Sequence, residues 1–313
     1  MYNGIAMNVN DSSCPLPDDA LPLPEWLQAW RQRIDHELAA ALPSADTRPP
    51  VLHEAMRYAC LNPGKRLRAI LTLSTAALFG APPLRALRPA LALEIFHAST
   101  LVHDDLPCMD DDDLRRGLPA THIRYGEANA LLAGCALLTL AFDWMAATPV
   151  PPPHPPNALV AELTRAGGSL GVIGGQVEDL ASENQPPDES QLLFIHTEKT
   201  ARLISCACRC GAIVGGACAA RVEQMGAFGL HLGLAFQMLD DILDATQSTE
   251  VLGKPAKSDE ENHKLTAVSL WGLERAQQEA ARHTQAALDI LEHIDHPSER
   301  LRDLTLWMLQ RVT

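Results

Sequence analysis

Aromatic residues are scarce in this 313-residue chain, at 4%, and Lys plus Arg number only 25 against 39 Asp plus Glu. The first shortage, beside abundant Ala and Leu and few β-branched residues, favours helix and excludes an all-β fold. The second leaves a net charge of −14 with His neutral, which repels a phosphate backbone and excludes nucleic acid as a partner. The opening residues carry no basic segment followed by an apolar run, so no secretory signal is expected. No stretch is expected to supply the roughly 20 apolar residues of a spanning helix, so no integral membrane segment is expected either. Eight Cys in such a chain read as reduced thiols in a cytoplasmic protein, not as a disulfide framework. What the chain does have is 47% hydrophobic residues, enough to bury a large core, which excludes disorder.

Residues 1–24 are polar, acidic and Pro-containing and read as a loose leader, with order starting near Pro24-Glu25-Trp26 and a single all-α domain over 25–313. Pro clusters break the helical pattern at 42–50, 80–83, 148–156 and 185–187. Between them, Leu71 to Phe79, Leu87 to Val102, Ala128 to Met145, Leu192 to Val214, Val222 to Leu243 and Ala267 to Ile294 are predicted helices packed in a bundle, and no strand is expected. The run from Pro149 to Pro156 reads as a stiff connector. Cys206, Cys208 and Cys210 offer only one pair on a common helical face, too few ligands for a closed zinc site, and read as packed thiols.

Six Asp fall in ten positions from Asp104 to Asp113, followed by Arg115 and Arg116. Pro107 forces the chain out of helical geometry near Leu106, so Asp104 and Asp105 sit at the negative end of an apolar helix, where carboxylates are disfavoured unless a cation compensates. Asp110 returns after a short loop as a third oxygen donor. Far along the chain, Asp240, Asp241 and Asp244 share a helical face with Gln237 one turn earlier. Oxygen-only ligands without Cys or His point to Mg²⁺ rather than a softer metal, and the spacing is not that of a calcium loop. Diphosphate is the ligand that matches six carboxylates and several Mg²⁺. Basic residues at Gly64-Lys65-Arg66-Leu67-Arg68, Arg115-Arg116, Lys199, Lys254 and Lys264 suit anionic groups.

On these residues the chain resembles the trans-prenyl diphosphate synthases of the farnesyl and geranylgeranyl type. The likeness runs from Gly64 to about Leu273 through GKRLR, HDDLPCMDDDDLRRG, Gly126-Glu127-Ala128-Asn129, GGQVEDL at 174–180, HTEKT at 196–200, and FQMLDDILD followed by Lys254, Asp259 and Lys264. The four-residue gap between Asp105 and Asp110 is similar to the bacterial and plant branch. The resemblance implies an isoprenoid-synthase helical bundle with a central cavity, acting as a homodimer. It implies that Asp104, Asp105, Asp110, Asp240, Asp241 and Asp244 bind three Mg²⁺, with Mn²⁺ as a substitute. Arg115, Lys199 and Lys254 would bond an allylic diphosphate (dimethylallyl, geranyl or farnesyl), and Lys264 would join the substrate-binding set. Lys65, Arg68, His97 and Arg116 would hold isopentenyl diphosphate, and Thr200 and Gln237 would place oxygen dipoles near the carbocation. The sequence departs from the family pattern at Pro63, Ala69, Cys135 and Ala267-Val268, and none of these removes a metal ligand. Two alternatives stay open: a terpene cyclase-like ionising enzyme, which would not need the isopentenyl site, and a non-catalytic helical partner subunit.

The resemblance further implies that the growing tail runs along the helix before Asp104 toward its N-terminus, so that a bulky residue on that wall stops growth. Ser99 and Thr100 are both small there, with Thr100 about 40° off the Asp104 face, and Phe96 is the nearest bulky residue a further turn away. That wall admits more than fifteen carbons and favours geranylgeranyl diphosphate, with farnesyl diphosphate as the other outcome.

Overall fold

The computed structural model describes residues 16–183, 185–186, 188–246 and 264–309, and the chain there is all-α apart from one minimal hairpin. Its helices cluster into two units, one of Met1–Ile70 with Pro83–Pro149 and one of Leu71–Pro82 with Val150–Thr313.

The first unit holds α1 (Leu23–Ala41), α2 (Pro50–Leu61), the first turn of α3 (Leu67–Leu78), α4 (Pro83–Asp104), a hairpin, α5 (Thr121–Tyr125) and α6 (Glu127–Ala146). Proline at the first turn starts α1 and α2, where its fixed φ and missing N–H cost nothing. α4 buries Leu87, Leu91, Leu93, Ile95 and Phe96. α6 lies against α4, Ala130 clustering with Val102, and buries Ala133, Gly134, Leu137 and Ala141. A Cβ on Gly134 would collide with the imidazole of His103 at the end of α4, so glycine is what lets the two helices approach there. α4 ends at Asp104, as the following Pro107 demands.

Contrary to expectation, two strands do form: β1 (Leu114–Arg115) pairs with β2 (Leu118–Pro119). Arg116 and Gly117 between them have φ of 56° and 77°, the double positive φ of a tight primed turn. Strands of two residues are too short for alternation to register in the sequence.

α6 comes nearest to spanning length, but Glu127, Asn129, Thr139 and Asp143 interrupt its apolar run. Among the described residues it is the one helix long and apolar enough to cross a membrane, with 20 residues and mean hydropathy 1.5. One face of it packs against α4, while Leu131 and Leu132 on the other are 48% and 58% exposed.

The second unit holds α7 (Ala158–Gly167), α8 (Val172–Ser182), α9 (Glu189–Ile195), a π-helical turn (His196–Ala201), α10 (Arg202–Val214), α11 (Ala219–Thr246), α12 (Ala267–Trp271), α13 (Leu273–Glu292) and α14 (Glu299–Leu309). α11 approaches α10 and the π turn so closely that a Cβ on Gly229 would meet the Ser205 backbone and one on Gly233 the Ala201 backbone. The helix predicted over 192–214 is thus three segments, because the π turn inserts a wider register at HTEKT. The helix predicted over 267–294 is broken at Gly272, whose φ of 77° no helix accommodates. Cys206, Cys208 and Cys210 are buried free thiols, as read from the sequence.

Candidate functional site

In the first unit, the end of α4 and the hairpin set the geometry of the acidic loop. After Asp104 the chain folds back so that the Asp110 N–H donates to the Asp104 carbonyl at 2.9 Å, which brings these two carboxylates into one loop. Asp105 turns inward and is 2% exposed. Its Oδ1 accepts from Arg115 Nε at 2.8 Å and also from Arg115 Nη2, while Asp112 takes Nη2 at 2.9 Å. Burial raises the Asp105 pKa, and the Arg115 guanidinium works against that shift. Burial acts to lower the Arg115 pKa, but the Asp105 bond and the charges of Asp105, Asp112 and Asp104 outweigh it.

The basic stretch divides by orientation. Arg66 is buried, bonded to Asp35 at 2.6 Å and to the Asn62 carbonyl at 2.9 Å, and so serves the core. Lys65 is exposed and Arg68 half-buried at the start of α3. Arg116 reaches back over Gly64, where a Cβ would run into its guanidinium, so this glycine keeps the space that Arg116 fills. A small cleft bounded by Asn62, Ala98, Leu101, Asp105, Arg115 and Arg116 opens beside it. His97 is half-enclosed on α4. Burial first, then the charges of Arg68, Arg116, Arg115 and Arg66, push its pKa well below the ordinary value of 6.5. The positive charges of Arg68 and Arg116 thus lie near enough to His97 to disfavour its protonation.

Along α4, His97, Thr100, Leu101 and Asp104 share the partly open face. Phe96 and Ser99 are 1% and 2% exposed, and the Ser99 hydroxyl donates to the Phe96 carbonyl at 2.6 Å. Of the three chain-length candidates only Thr100 keeps surface on the Asp104 face, its hydroxyl donating to the His97 carbonyl at 2.9 Å.

The second unit supplies a second constellation. Lys199 in the π turn donates to Asp179 Oδ2 at 2.5 Å, and Lys264 lies 3.7 Å from the same oxygen. Asp179 is 6% exposed, and Gly175 one turn before it lets α8 come against the Lys199 backbone. Thr200 donates to Gln237 Oε1 at 2.8 Å, and Gln237 Nε2 donates to Asp241 Oδ1 at 2.9 Å. Asp241 Oδ2 accepts the Ala267 N–H at 2.7 Å and lies 3.2 Å from His196 Nε2. Asp240 is half-buried, and Asp244 is buried one turn further along α11. Asp179 and His196 were not assigned roles from the sequence. Both lie inside motifs quoted there, GGQVEDL and HTEKT, so the signal was position within a motif and not residue type. Lys254, expected on the diphosphate, lies outside the described residues.

Among the described residues no three His, Cys, Asp or Glu side chains gather closely enough to hold a metal by themselves. Asp105 and Asp241, expected among six metal carboxylates, have their oxygens turned to protein donors. Asp104 and Asp110 in one unit, and Asp240 and Asp244 in the other, form two all-oxygen pairs. Such pairs suit a hard cation that takes its remaining ligands from water and a bound anion.

The family model described as polyprenyl synthetase matches residues 49–301. The chain is 41% identical to geranylgeranyl pyrophosphate synthase 12, chloroplastic, of Arabidopsis thaliana over 269 residues, covering 84% of this chain and 74% of the plant protein. It is 38% identical to the farnesyl diphosphate synthase of Geobacillus stearothermophilus over 277 residues, covering 88% and 93%. The geranyltransferase of Helicobacter pylori, solved with magnesium and isoprenyl diphosphate, superposes with a TM-score of 0.81 at 33% identity, covering 94% of this chain and 98% of that one.

Proposed function

This chain belongs to the polyprenyl synthetase family and is a prenyltransferase of the trans-prenyl diphosphate synthase kind, and from that premise we propose its particular reaction and the residues that perform it. The reaction is head-to-tail condensation of isopentenyl diphosphate with an allylic diphosphate. The allylic C–O bond breaks with its electron pair leaving on the diphosphate, the isopentenyl double bond attacks the resulting cation, and the departing diphosphate takes the proton released from the new chain. No covalent nucleophile is needed.

The side chains divide by task. Arg115, anchored on Asp105 and Asp112, and Lys199, anchored on Asp179, bond the allylic diphosphate together with Lys254, and Lys264 adds a further charge at the Asp179 anchor. Anchoring matters because cations already fixed in place need no reorganisation as charge develops on the leaving group. Lys65, Arg68, Arg116 and His97 bind isopentenyl diphosphate. The lowered pKa of His97 leaves it neutral at pH 7, a hydrogen-bonding group and not a fourth cation. Asp104, Asp110, Asp240 and Asp244 would hold Mg²⁺, three ions with Mn²⁺ as a substitute, and this charge lowers the barrier to diphosphate departure. Thr200 and Gln237 stand beside the allylic carbon.

Geranylgeranyl diphosphate is the favoured product and farnesyl diphosphate the runner-up, supported by the small half-buried Thr100 on the Asp104 face. A homodimer is supported by the exposed apolar stripe of α6 at Leu131 and Leu132, and a cytoplasmic location by the use of Cys60, Cys206, Cys208 and Cys210 as buried thiols. The observation that carries the reading is the presence of both Asp motifs, each with its anchored cation, inside the family match at 49–301. Asp240→Ala tests it: turnover of labelled isopentenyl diphosphate should fall by two or more orders of magnitude, and a variant as active as wild type contradicts it.

A further inference from the structure

Two turns of chain in the second unit face each other as a ladder with two rungs. His196 and Thr200 lie four apart in the π turn, and Gln237 and Asp241 lie four apart on α11. His196 meets Asp241 at 3.2 Å, Thr200 meets Gln237 at 2.8 Å, and Gln237 joins the rungs by donating to Asp241 at 2.9 Å.

The proton on each member is dictated by its neighbours. An ionised carboxylate only accepts, so the Gln237 amide must turn its NH₂ to Asp241 and its oxygen to Thr200. That oxygen accepts the Thr200 hydroxyl proton, which leaves the lone pairs of Thr200 facing outward. At the other end, His196 is 3% exposed and its Nδ1 is buried without a hydrogen-bond partner. A buried acceptor left unpaired costs less than a buried N–H left unpaired, which assigns the imidazole proton to Nε2, 3.2 Å from Asp241 Oδ2. The Ala267 N–H at 2.7 Å completes the shell of Asp241 and fixes the carboxylate plane.

We propose that His196 and Asp241 are positioning residues, which lock the Thr200 hydroxyl so that its oxygen and not its proton faces the allylic carbon. The negative end of a fixed dipole then meets the positive charge that develops there. Asp241 on this account orients a side chain and is not a metal ligand. The inference rests on the proposed reaction, which puts Thr200 beside the allylic carbon.

Asp241→Asn keeps the volume but offers Gln237 an NH₂ group, so the Gln237 amide can reverse and release the Thr200 proton toward the substrate. Turnover should fall about a hundredfold, the loss typical of one misdirected transition-state dipole. KM for both substrates and the Mg²⁺ concentration giving half-maximal rate should stay within about threefold of wild type. His196→Gln, which still places an N–H donor near Nε2, should turn over at least tenfold faster than His196→Phe. A readout without turnover comes from nitrogen-15 NMR of the histidine side chains in substrate-free protein. The resonance lost in His196→Gln should report an Nε2–H tautomer and should shift in Asp241→Asn. An Asp241→Asn variant restored by high Mg²⁺, equal rates in the two His196 variants, or an Nδ1–H tautomer each overturn the proposal. The two levels separate cleanly: a wild type that forms no product overturns the reaction, whereas an active wild type with an indifferent Asp241→Asn overturns the ladder alone.

Discussion

Adjacent aspartates of the same type do different work here because their side chains point differently from one helix end. Asp104 stays half-exposed while Asp105 is 2% exposed and bonded to Arg115; Asp240 stays half-buried while Asp241 is 4% exposed, accepts hydrogen bonds from Gln237 and Ala267, and lies 3.2 Å from His196. Sequence spacing gives the face of a helix but not which member of a pair a partner captures, so six equal metal ligands were expected where two carboxylates serve protein donors. Gly64 is the converse, a residue without chemistry that holds space for Arg116. Gly64→Ala meets only the far end of that flexible side chain, so the melting temperature should change by less than ~2 °C, while KM for isopentenyl diphosphate rises several-fold more than KM for the allylic substrate. Steady-state kinetics with each substrate varied checks this, and equal changes would contradict it. Thr100 carries the residue-scale claim about product length. Thr100→Phe puts a ring on the Asp104 face and should shorten the principal product by one five-carbon unit or more, read by chromatography of the dephosphorylated alcohols. An unchanged product would remove α4 from the control of length.

The long helices were legible at the scale of elements because their apolar and small residues repeat with helical period: α4, α6 and α11 extend the predicted spans by a few residues at most ends. What was not legible are the local departures. The π turn at 196–201 leaves the composition helical and changes only the hydrogen-bond register, and the break at Gly272 falls in an otherwise continuous pattern. These departures place function: the π turn carries His196, Lys199 and Thr200. The contact of α11 with α13 holds a separate pH-sensitive pair. His231 Nδ1 and His283 Nδ1 are 2.8 Å apart, and His283 Nε2 accepts from Arg282 at 3.0 Å, so His283 Nδ1–H is the donor and both rings must be neutral. Burial, then the charge of Arg282, push the His283 pKa from 6.5 down to about 4, with Glu279 opposing. Because the unfolded chain binds this proton more readily, the stabilisation is complete above pH 6.5 and is lost as pH falls from there toward 4. Urea unfolding midpoints should decline over that window in wild type and decline less in His283→Gln. Parallel curves for the two proteins would show that the pair does not set the acid limb.

The composition of the whole molecule argued against β folds, and the two Asp motifs with their basic companions indicated diphosphate chemistry from the sequence alone. The family match over 49–301 and the superposition on the Helicobacter pylori geranyltransferase agree with that assignment. Hidden from the sequence was the support beneath the motifs. Asp179 beneath Lys199 and Lys264, and Asp105 beneath Arg115, are buried anions that hold cations in advance of substrate, and burial is a property of the fold and not of a residue's neighbours in sequence. The central claim is that these anchored cations and the carboxylate pairs Asp104/Asp110 and Asp240/Asp244 serve metal-dependent prenyl transfer. Its most direct test is incubation of the purified chain with labelled isopentenyl diphosphate and dimethylallyl, geranyl or farnesyl diphosphate in turn, with Mg²⁺ and with excess EDTA, followed by chromatography of the products. The account predicts longer trans-prenyl diphosphates, chiefly of twenty carbons, only when Mg²⁺ and both substrates are present. Product formed in EDTA, or cyclised hydrocarbon formed from the allylic substrate alone, would contradict it.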